Sequence, residues 1–254
     1  MKAALQPVPA VVMYQCHTGF APAAIAPLRE REIHVWHGSL QPSPAEVAGL
    51  AQLLSPDELE RADRFHFEKN RSEFIFARGT LRTLLGSYLG VAPADLRFAY
   101  SPHGKPSLDD RKTVDFNISH TEGMVVFAFA RSRRIGVDVE KVRRDFDVEE
   151  IAERFFSVAE RLALREIPEP QRYPAFFHCW TRKEAYIKAR GEGLSHPLHQ
   201  FDVSLAPGKP AALLGTRPDA EEAKRWSLWD LAISPEHAAA LAAEENPATA
   251  AAGD

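Results

Sequence analysis

Ile135-Gly136-Val137-Asp138-Val139-Glu140 alternates apolar and acidic residues, the period of an extended strand. Ile135, Val137 and Val139 then face one way, and Asp138 and Glu140 the other. Two carboxylates about 7 Å apart on one sheet face repel each other unless a positive charge lies between them. A hard cation such as Mg2+ suits them, since it takes one or two carboxylates and shares the phosphate oxygens of a substrate. An antiparallel strand with its polar side in water gives the same alternation.

Further along, Trp180-Thr181-Arg182-Lys183-Glu184-Ala185-Tyr186-Ile187-Lys188 has the spacing of a helix, with Trp180, Glu184 and Lys188 on one stripe. Glu184 before Lys188 is also the ordinary orientation of a surface pair. Phe176, Phe177, Trp180 and Ile187 make this helix heavily apolar, so Glu184 is expected to be half-buried and to need a partner. The helix is expected from about Ala175 to Arg190, opened by Pro174 and stopped by Gly191 and Gly193. Upstream, Asn117-Ile118-Ser119-His120 follows strand-like Phe116. Such a junction binds phosphate oxygens or merely closes a hairpin. Gly104-Lys105-Pro106 places a lysine in a turn. Arg61, Arg71, Arg78 and Arg82 form either a phosphate-facing set or a solvated face.

The remaining pattern fills in around these words. Glu32–Trp36, Leu96–Tyr100, Phe116–Ile118, Met124–Ala130, Phe201–Leu205 and Trp226–Ile233 suit strands. Ser43-Pro44-Ala45-Glu46, Ser55-Pro56-Asp57-Glu58 and Ser157-Val158-Ala159-Glu160 are helix starts, as is Asp147. From about Asn70 to Leu89, Phe74, Ala77, Leu81, Leu84, Leu85 and Tyr88 share a helical face opposite Arg71, Arg78 and Arg82. The class expected is α+β with two comparable halves split near Arg131–Arg134. The divisions are a loose N-terminal arm over 1–30, an N-terminal half over 31–133, a C-terminal half over 134–234 carrying the metal site, and an Ala-rich tail over 235–254. The tail is expected not to pack.

Composition narrows the function. The chain has 254 residues, 45% hydrophobic and 26% charged, room for one large domain or two small ones. Thirty-one Lys and Arg against thirty-five Asp and Glu leave −4, which speaks against nucleic acid or an anionic membrane as partner. Six Lys and Arg between Arg131 and Arg144 form a local basic patch suited to an acidic protein partner. The longest apolar run, Met124–Ala130, is far too short to span a bilayer, and Pro7 and Pro9 interrupt any signal-peptide core. Two cysteines, Cys16 and Cys179, make no disulfide framework, so a cytoplasmic location is expected. No phosphate-binding loop or dinucleotide fingerprint is present. His196-x-x-His199 with His178 and Cys179 makes a poor zinc site, given its loop position and the absence of a fourth ligand nearby.

In order, Gly104-Lys105-Pro106, Phe116-Asn117-Ile118-Ser119-His120, Ile135 to Lys141, Phe155-Phe156-Ser157 with Glu160, and Trp180-x-x-Lys183-Glu184-Ala185-x-x-Lys188-x-x-Gly191-x-Gly193-Leu194 resemble the phosphopantetheinyl transferase family. The likeness is to its broad-specificity, surfactin-synthetase-activating type and spans about Ser55 to Val203. It implies two similar α/β halves in one chain, related by a pseudo-twofold axis, with the site between them. It implies Mg2+-dependent transfer of the phosphopantetheine arm of coenzyme A to a serine of an acyl or peptidyl carrier protein, releasing 3′,5′-ADP. By the same resemblance Asp138, Glu140 and Glu184 would hold Mg2+. Lys188, Ser119 and His120 would meet the pyrophosphate, Lys105 the nucleotide, and Arg61 or Arg78 the 3′-phosphate. Glu184, or a water oriented by the carboxylates, would take the serine proton. The expected working form is a monomer. Two other readings stand beside it: a non-catalytic module binding coenzyme A or a carrier protein, and a Mg2+-dependent hydrolase of a nucleotide pyrophosphate.

Overall fold

The computed structural model describes residues 8–16, 25–109, 113–191 and 197–245. Gly193 and Leu194 of the long motif, and His196, lie outside the described residues.

The strand expected at 135–142 is β7 (Ile135–Lys141), and the long helix, α6, runs from Glu169 to Arg190. The two approach so closely that a Cβ on Gly136 would lie 2.2 Å from the Ala185 carbonyl oxygen and 2.3 Å from the Ala189 nitrogen. Only glycine fits there, because both neighbours are backbone. The helix starts before the expected Ala175, with Pro170 in its first turn, where no amide donor is needed. Pro174 therefore lies inside it. Around it the Tyr173 hydroxyl donates to the Phe146 carbonyl, and Phe146 is edge-on to Phe176.

β7 is one edge of a three-stranded antiparallel sheet ordered β10 (Trp226–Asp230), β11 (His237–Glu244), β7. The central strand of this sheet falls in the segment expected to be a loose Ala-rich tail, a correction to the sequence reading. Ala238, Ala240 and Ala242 pack toward α6, while Ala239, Leu241 and Ala243 join the core against the other sheet. On the face toward α6 the strand has room for little more than methyl groups. That constraint makes a packed strand look like low complexity.

The other sheet is ordered β1 (Ala10–Cys16), β2 (Glu32–Ser39), β6 (Met124–Ala130), β5 (Asp115–Thr121). β1 corrects the expectation of a loose arm over 1–30. It pairs parallel with β2 from Ala10 opposite Glu32 to Cys16 opposite Gly38, and Tyr14 stacks on Trp36 with ring centroids 4.4 Å apart. Its β-prone run of Val, Met and Tyr was masked by the prolines just before it. Helix α3 (Glu68–Leu89) covers one face of this sheet through Leu81, Leu84 and Leu85 against Phe116, Phe127 and Phe129. The opposite face, with Ile33, Val35 and Val126, packs on Val137, Val139 and Leu241 of the three-stranded sheet.

Arg82 is not on a solvated face. Its guanidinium is buried, donating at 2.7 Å to Glu58 of α2 (Pro56–Asp63) and to the carbonyls of Pro93 and Leu96. The basic patch at 131–144 is also divided. Arg131 donates to the Leu28 carbonyl, and Arg133 and Arg134 bind Glu244, while Arg143 and Arg144 lie over the rings of Phe146 and Tyr173. A hairpin of β3 (Phe98–Tyr100) and β4 (Pro106–Leu108) reaches from the N-terminal half toward the end of α6. The smaller elements α1 (Pro44–Ala51), α4 (Val148–Phe155), α5 (Val158–Glu166), β8 (Phe201–Val203) and β9 (Leu213–Thr216) complete the fold.

Ala240→Leu forces an isobutyl group into the space between β11 and α6. It should cost about 1–3 kcal/mol, as overpacking does, and lower the midpoint of urea denaturation. An unchanged midpoint would show that the strand is not packed as described.

Candidate active site

β5 and β7 are the facing edges of the two sheets, yet they belong to separate ladders. Side chains at alternate positions of β5 join them instead. The Asn117 Oδ1 accepts from the Val137 amide at 2.8 Å, and the Ser119 hydroxyl donates to Asp138 Oδ1 at 2.9 Å. The Thr121 hydroxyl donates to Glu140 Oε2 at 3.2 Å. This period-two series turns the carboxylates of β7 toward α6 and holds them there. Asn117 and Thr121 had not been singled out for this role; the signal was three hydrogen-bonding side chains at every second residue of a strand.

From the other side α6 presents Glu184 and Lys188. The Lys188 ammonium donates to Asp138 Oδ1 at 2.6 Å and to the Ser119 hydroxyl at 2.9 Å. Asp138 is 3% exposed, and its second oxygen, Oδ2, is buried with no hydrogen-bond partner. Burial, then the nearby Asp138 charge, push Glu184 up to about 7 and raise Glu140 above the usual carboxylate range. Burial, followed by the Lys188 charge, lowers His120.

A cavity of about 620 Å3 opens from this cluster, lined among others by His120, Glu184, Lys188, Arg61 and Arg78. At its far end Arg61 lies over the Phe74 ring at 5.3 Å. Arg78 is buried against Phe98 and 3.5 Å from Glu58, and its Nη1 has no hydrogen-bond partner. The structure therefore brings Ser119, His120, Asp138, Glu140, Glu184 and Lys188 together and sets Arg61 and Arg78 along the same cavity. Lys105 also lines the cavity, and its ammonium donates to the carbonyls of Ile135, Lys188 and Ala189 at 3.1, 2.6 and 3.3 Å. Arg71 is paired with Asp63 and Glu68 and does not line the cavity.

The sequence compares as follows. Residues 134–243 match the model of the 4′-phosphopantetheinyl transferase superfamily, and residues 38–132 match that of a 4′-phosphopantetheinyl transferase N-terminal region. The 4′-phosphopantetheinyl transferase HetI of Nostoc sp. is 40% identical over 83% of this chain and 87% of its own. The chain belongs to the 4′-phosphopantetheinyl transferase superfamily. The 4′-phosphopantetheinyl transferase Sfp of Bacillus subtilis is 34% identical over 64% of this chain and 71% of its own. Thermotoga maritima holo-[acyl-carrier-protein] synthase matches with a TM-score of 0.36 and 24% identity, covering 44% of this chain and 62% of that one. As a member of this family the chain is a transferase, moving phosphopantetheine to a carrier protein.

Whether the cluster suits a divalent cation is decided by its donors. Among the described residues no three acidic, histidine or cysteine side chains form a ready-made shell. A cation is nonetheless already present, the ammonium of Lys188. Asp138 Oδ2 stays without a hydrogen bond beside it, and burial, then the Asp138 charge, raise Glu140 and Glu184 above the usual carboxylate range. An all-carboxylate set starved of positive charge is chemically matched to Mg2+.

Glu184 carries a sign that can be measured. Its folded-state value of about 7 lies above the ordinary 4.5, so the folded protein holds the extra proton between those limits. Stability without ligands should therefore fall as pH rises from about 4.5 to about 7, because the unfolded chain has already released that proton. Glu184→Gln should flatten this slope in denaturant titrations across the window. An unaltered slope would remove Glu184 as its source.

Proposed function

We propose that the transfer is Mg2+-dependent, takes phosphopantetheine from coenzyme A, and releases 3′,5′-ADP. The observation that carries this reading is the cavity itself. Its lining brings His120, Glu184 and Lys188, the last paired with buried Asp138, into one space with Arg61 and Arg78, whose Nη1 has no hydrogen bond.

Coenzyme A is a polyanion whose two charged regions, a diphosphate and a 3′-phosphate, are separated by the nucleoside. His120 and Lys188 would meet the diphosphate, and Arg61 and Arg78 the 3′-phosphate; all four line the cavity. Asp138, Glu140 and Glu184 would hold Mg2+, which neutralises charge on the transferred and departing phosphates. When the diphosphate enters, the Lys188 ammonium exchanges part of its contact with Asp138 for phosphate oxygen. Ser119 keeps Asp138 oriented during that exchange through its 2.9 Å bond. Glu184, or a water oriented by the carboxylates, accepts the proton of the incoming carrier serine. The serine oxygen attacks the phosphorus of the pantetheine-bearing phosphate, and the bond to the departing ADP phosphate breaks. No group on the chain stands as a covalent acceptor in this scheme.

We further read the chain as a cytoplasmic monomer. Both groups of site residues come from a single chain, and Cys16 and Cys179 are buried thiols. Among the described residues no helix is long and apolar enough to cross a membrane.

Incubating the protein with coenzyme A, Mg2+ and apo-carriers should raise the carrier mass by one phosphopantetheine, read by intact mass spectrometry. Asp138→Asn should cut the rate by roughly a hundredfold or more, as loss of a metal ligand at a reacting phosphate does. Its melting curve should stay cooperative. Full activity in that variant would end the metal assignment. Rapid 3′,5′-ADP release from coenzyme A without any carrier would favour the hydrolase instead.

A further inference from the structure

The Lys105 ammonium has three hydrogens to give, and three main-chain oxygens lie in reach of it. It donates to Ile135, the first residue of β7, at 3.1 Å, and to Lys188 and Ala189 at 2.6 and 3.3 Å. Lys188 and Ala189 belong to the last turn of α6, which ends at Gly191 in the left-handed conformation. Carbonyls in a final turn lack helical partners and carry the negative end of the helix dipole. A buried ammonium there serves as a cap. The turn that delivers it is fixed. Gly104 takes φ of +79°, its amide donates to the Ser101 carbonyl at 2.8 Å, and the Lys105 amide donates to the Ser101 hydroxyl at 3.1 Å.

Two features tie this side chain to the helix end. Its three donors all meet main-chain oxygens. Its stem lies along Gly191, where a Cβ would sit 3.7 Å from Lys105 Cδ. The residue it grips by the backbone, Lys188, is the one whose side chain spans Asp138 and Ser119. Lys188 is thus held from the N-terminal half twice, at its carbonyl by Lys105 and at its ammonium by Ser119.

We propose that Lys105 is a positioning residue: its ammonium clamps the last turn of α6 to the N-terminal half and so fixes where Lys188 presents its charge. This rests on the reading of Lys188 given above. In Lys105→Met, amide exchange over the final turn of α6 should accelerate at least tenfold while the middle of the helix is unchanged. Affinities for coenzyme A and for dephospho-coenzyme A, measured by calorimetry, should each move less than threefold. The maximal rate should fall at least tenfold, and the double variant with Lys188→Met should be no slower than Lys188→Met alone, because residues acting through one another are not additive.

A tenfold loss of coenzyme A affinity that dephospho-coenzyme A does not share would overturn the proposal, since it would put the ammonium on the 3′-phosphate. Additive rate losses in the double variant, or unchanged exchange at the helix end, would do the same. If the Met variant does not fold, Lys105→Gln takes its place, its amide still able to donate to a carbonyl. Failure of both to fold would make Lys105 a determinant of the fold and equally end the proposal. Should the wild-type protein transfer nothing to any carrier, the reading of Lys188 fails, while the exchange and affinity measurements still decide Lys105.

Discussion

A carboxylate nearly sealed from water must have a positive partner, and Asp138 is the point from which the rest of this structure can be reasoned. At 3% exposure its charge cannot be left alone. The Lys188 ammonium and the Ser119 hydroxyl both reach the same oxygen, one from α6 and one from β5. Those two elements are therefore fixed relative to β7, and the cavity between them takes its shape from that requirement. Arg82 with Glu58 follows the same rule in the N-terminal half, where a buried pair anchors α2 to α3. Arg82 gains two carbonyl partners besides, and Glu58 Oε1, like Asp138 Oδ2, is left without a hydrogen bond. What separates the two pairs is the company of Asp138: Lys188, its partner, lines the cavity together with Glu184.

Close approach of α6 to its sheet is the second constraint, and it governs what the sequence can show. A helix whose backbone touches β7 at Gly136 requires glycine there and alanines on the neighbouring strand β11. Large apolar side chains are the usual sign of a core, so a core made of methyl groups is nearly silent to pattern reading. This is why β11 read as a tail. β1 was missed for a different reason, since Pro7 and Pro9 gave its surroundings the look of a loop while its own residues are strand formers.

The site itself was more legible than the fold around it. Asp138, Glu140, Glu184 and Lys188 stand in patterns whose periods are strictly 2 and 4, so the faces on which they lie follow from covalent geometry alone. Their burial did not follow. Alternation in a strand predicts which residues share a side but not whether that side meets water or a helix, and only the packing of α6 on β7 decides it. Lys105 shows the converse. Its motif marks a lysine in a turn, and nothing local says that the side chain runs beneath a helix end contributed by the other half, more than eighty residues away.

The two halves divide the chemistry by charge, and neither could do it alone. All three carboxylates come from β7 and α6, in the C-terminal half. The groups suited to anions, Arg61, Arg78 and His120, come from the N-terminal half, and Lys188 alone crosses to join them. A polyanion entering the cavity meets cations on one wall and acids on the other, and the acids oppose it until positive charge is supplied. On the proposed function, a substrate diphosphate and a divalent cation would favour each other's binding, because each would relieve the repulsion the other's wall would impose. Without them, the contact between Lys188 and Asp138 places the one nearby ammonium against the most deeply buried of the three carboxylates. On that proposal, the charge that joins the walls here is the charge that would shift when substrate arrives.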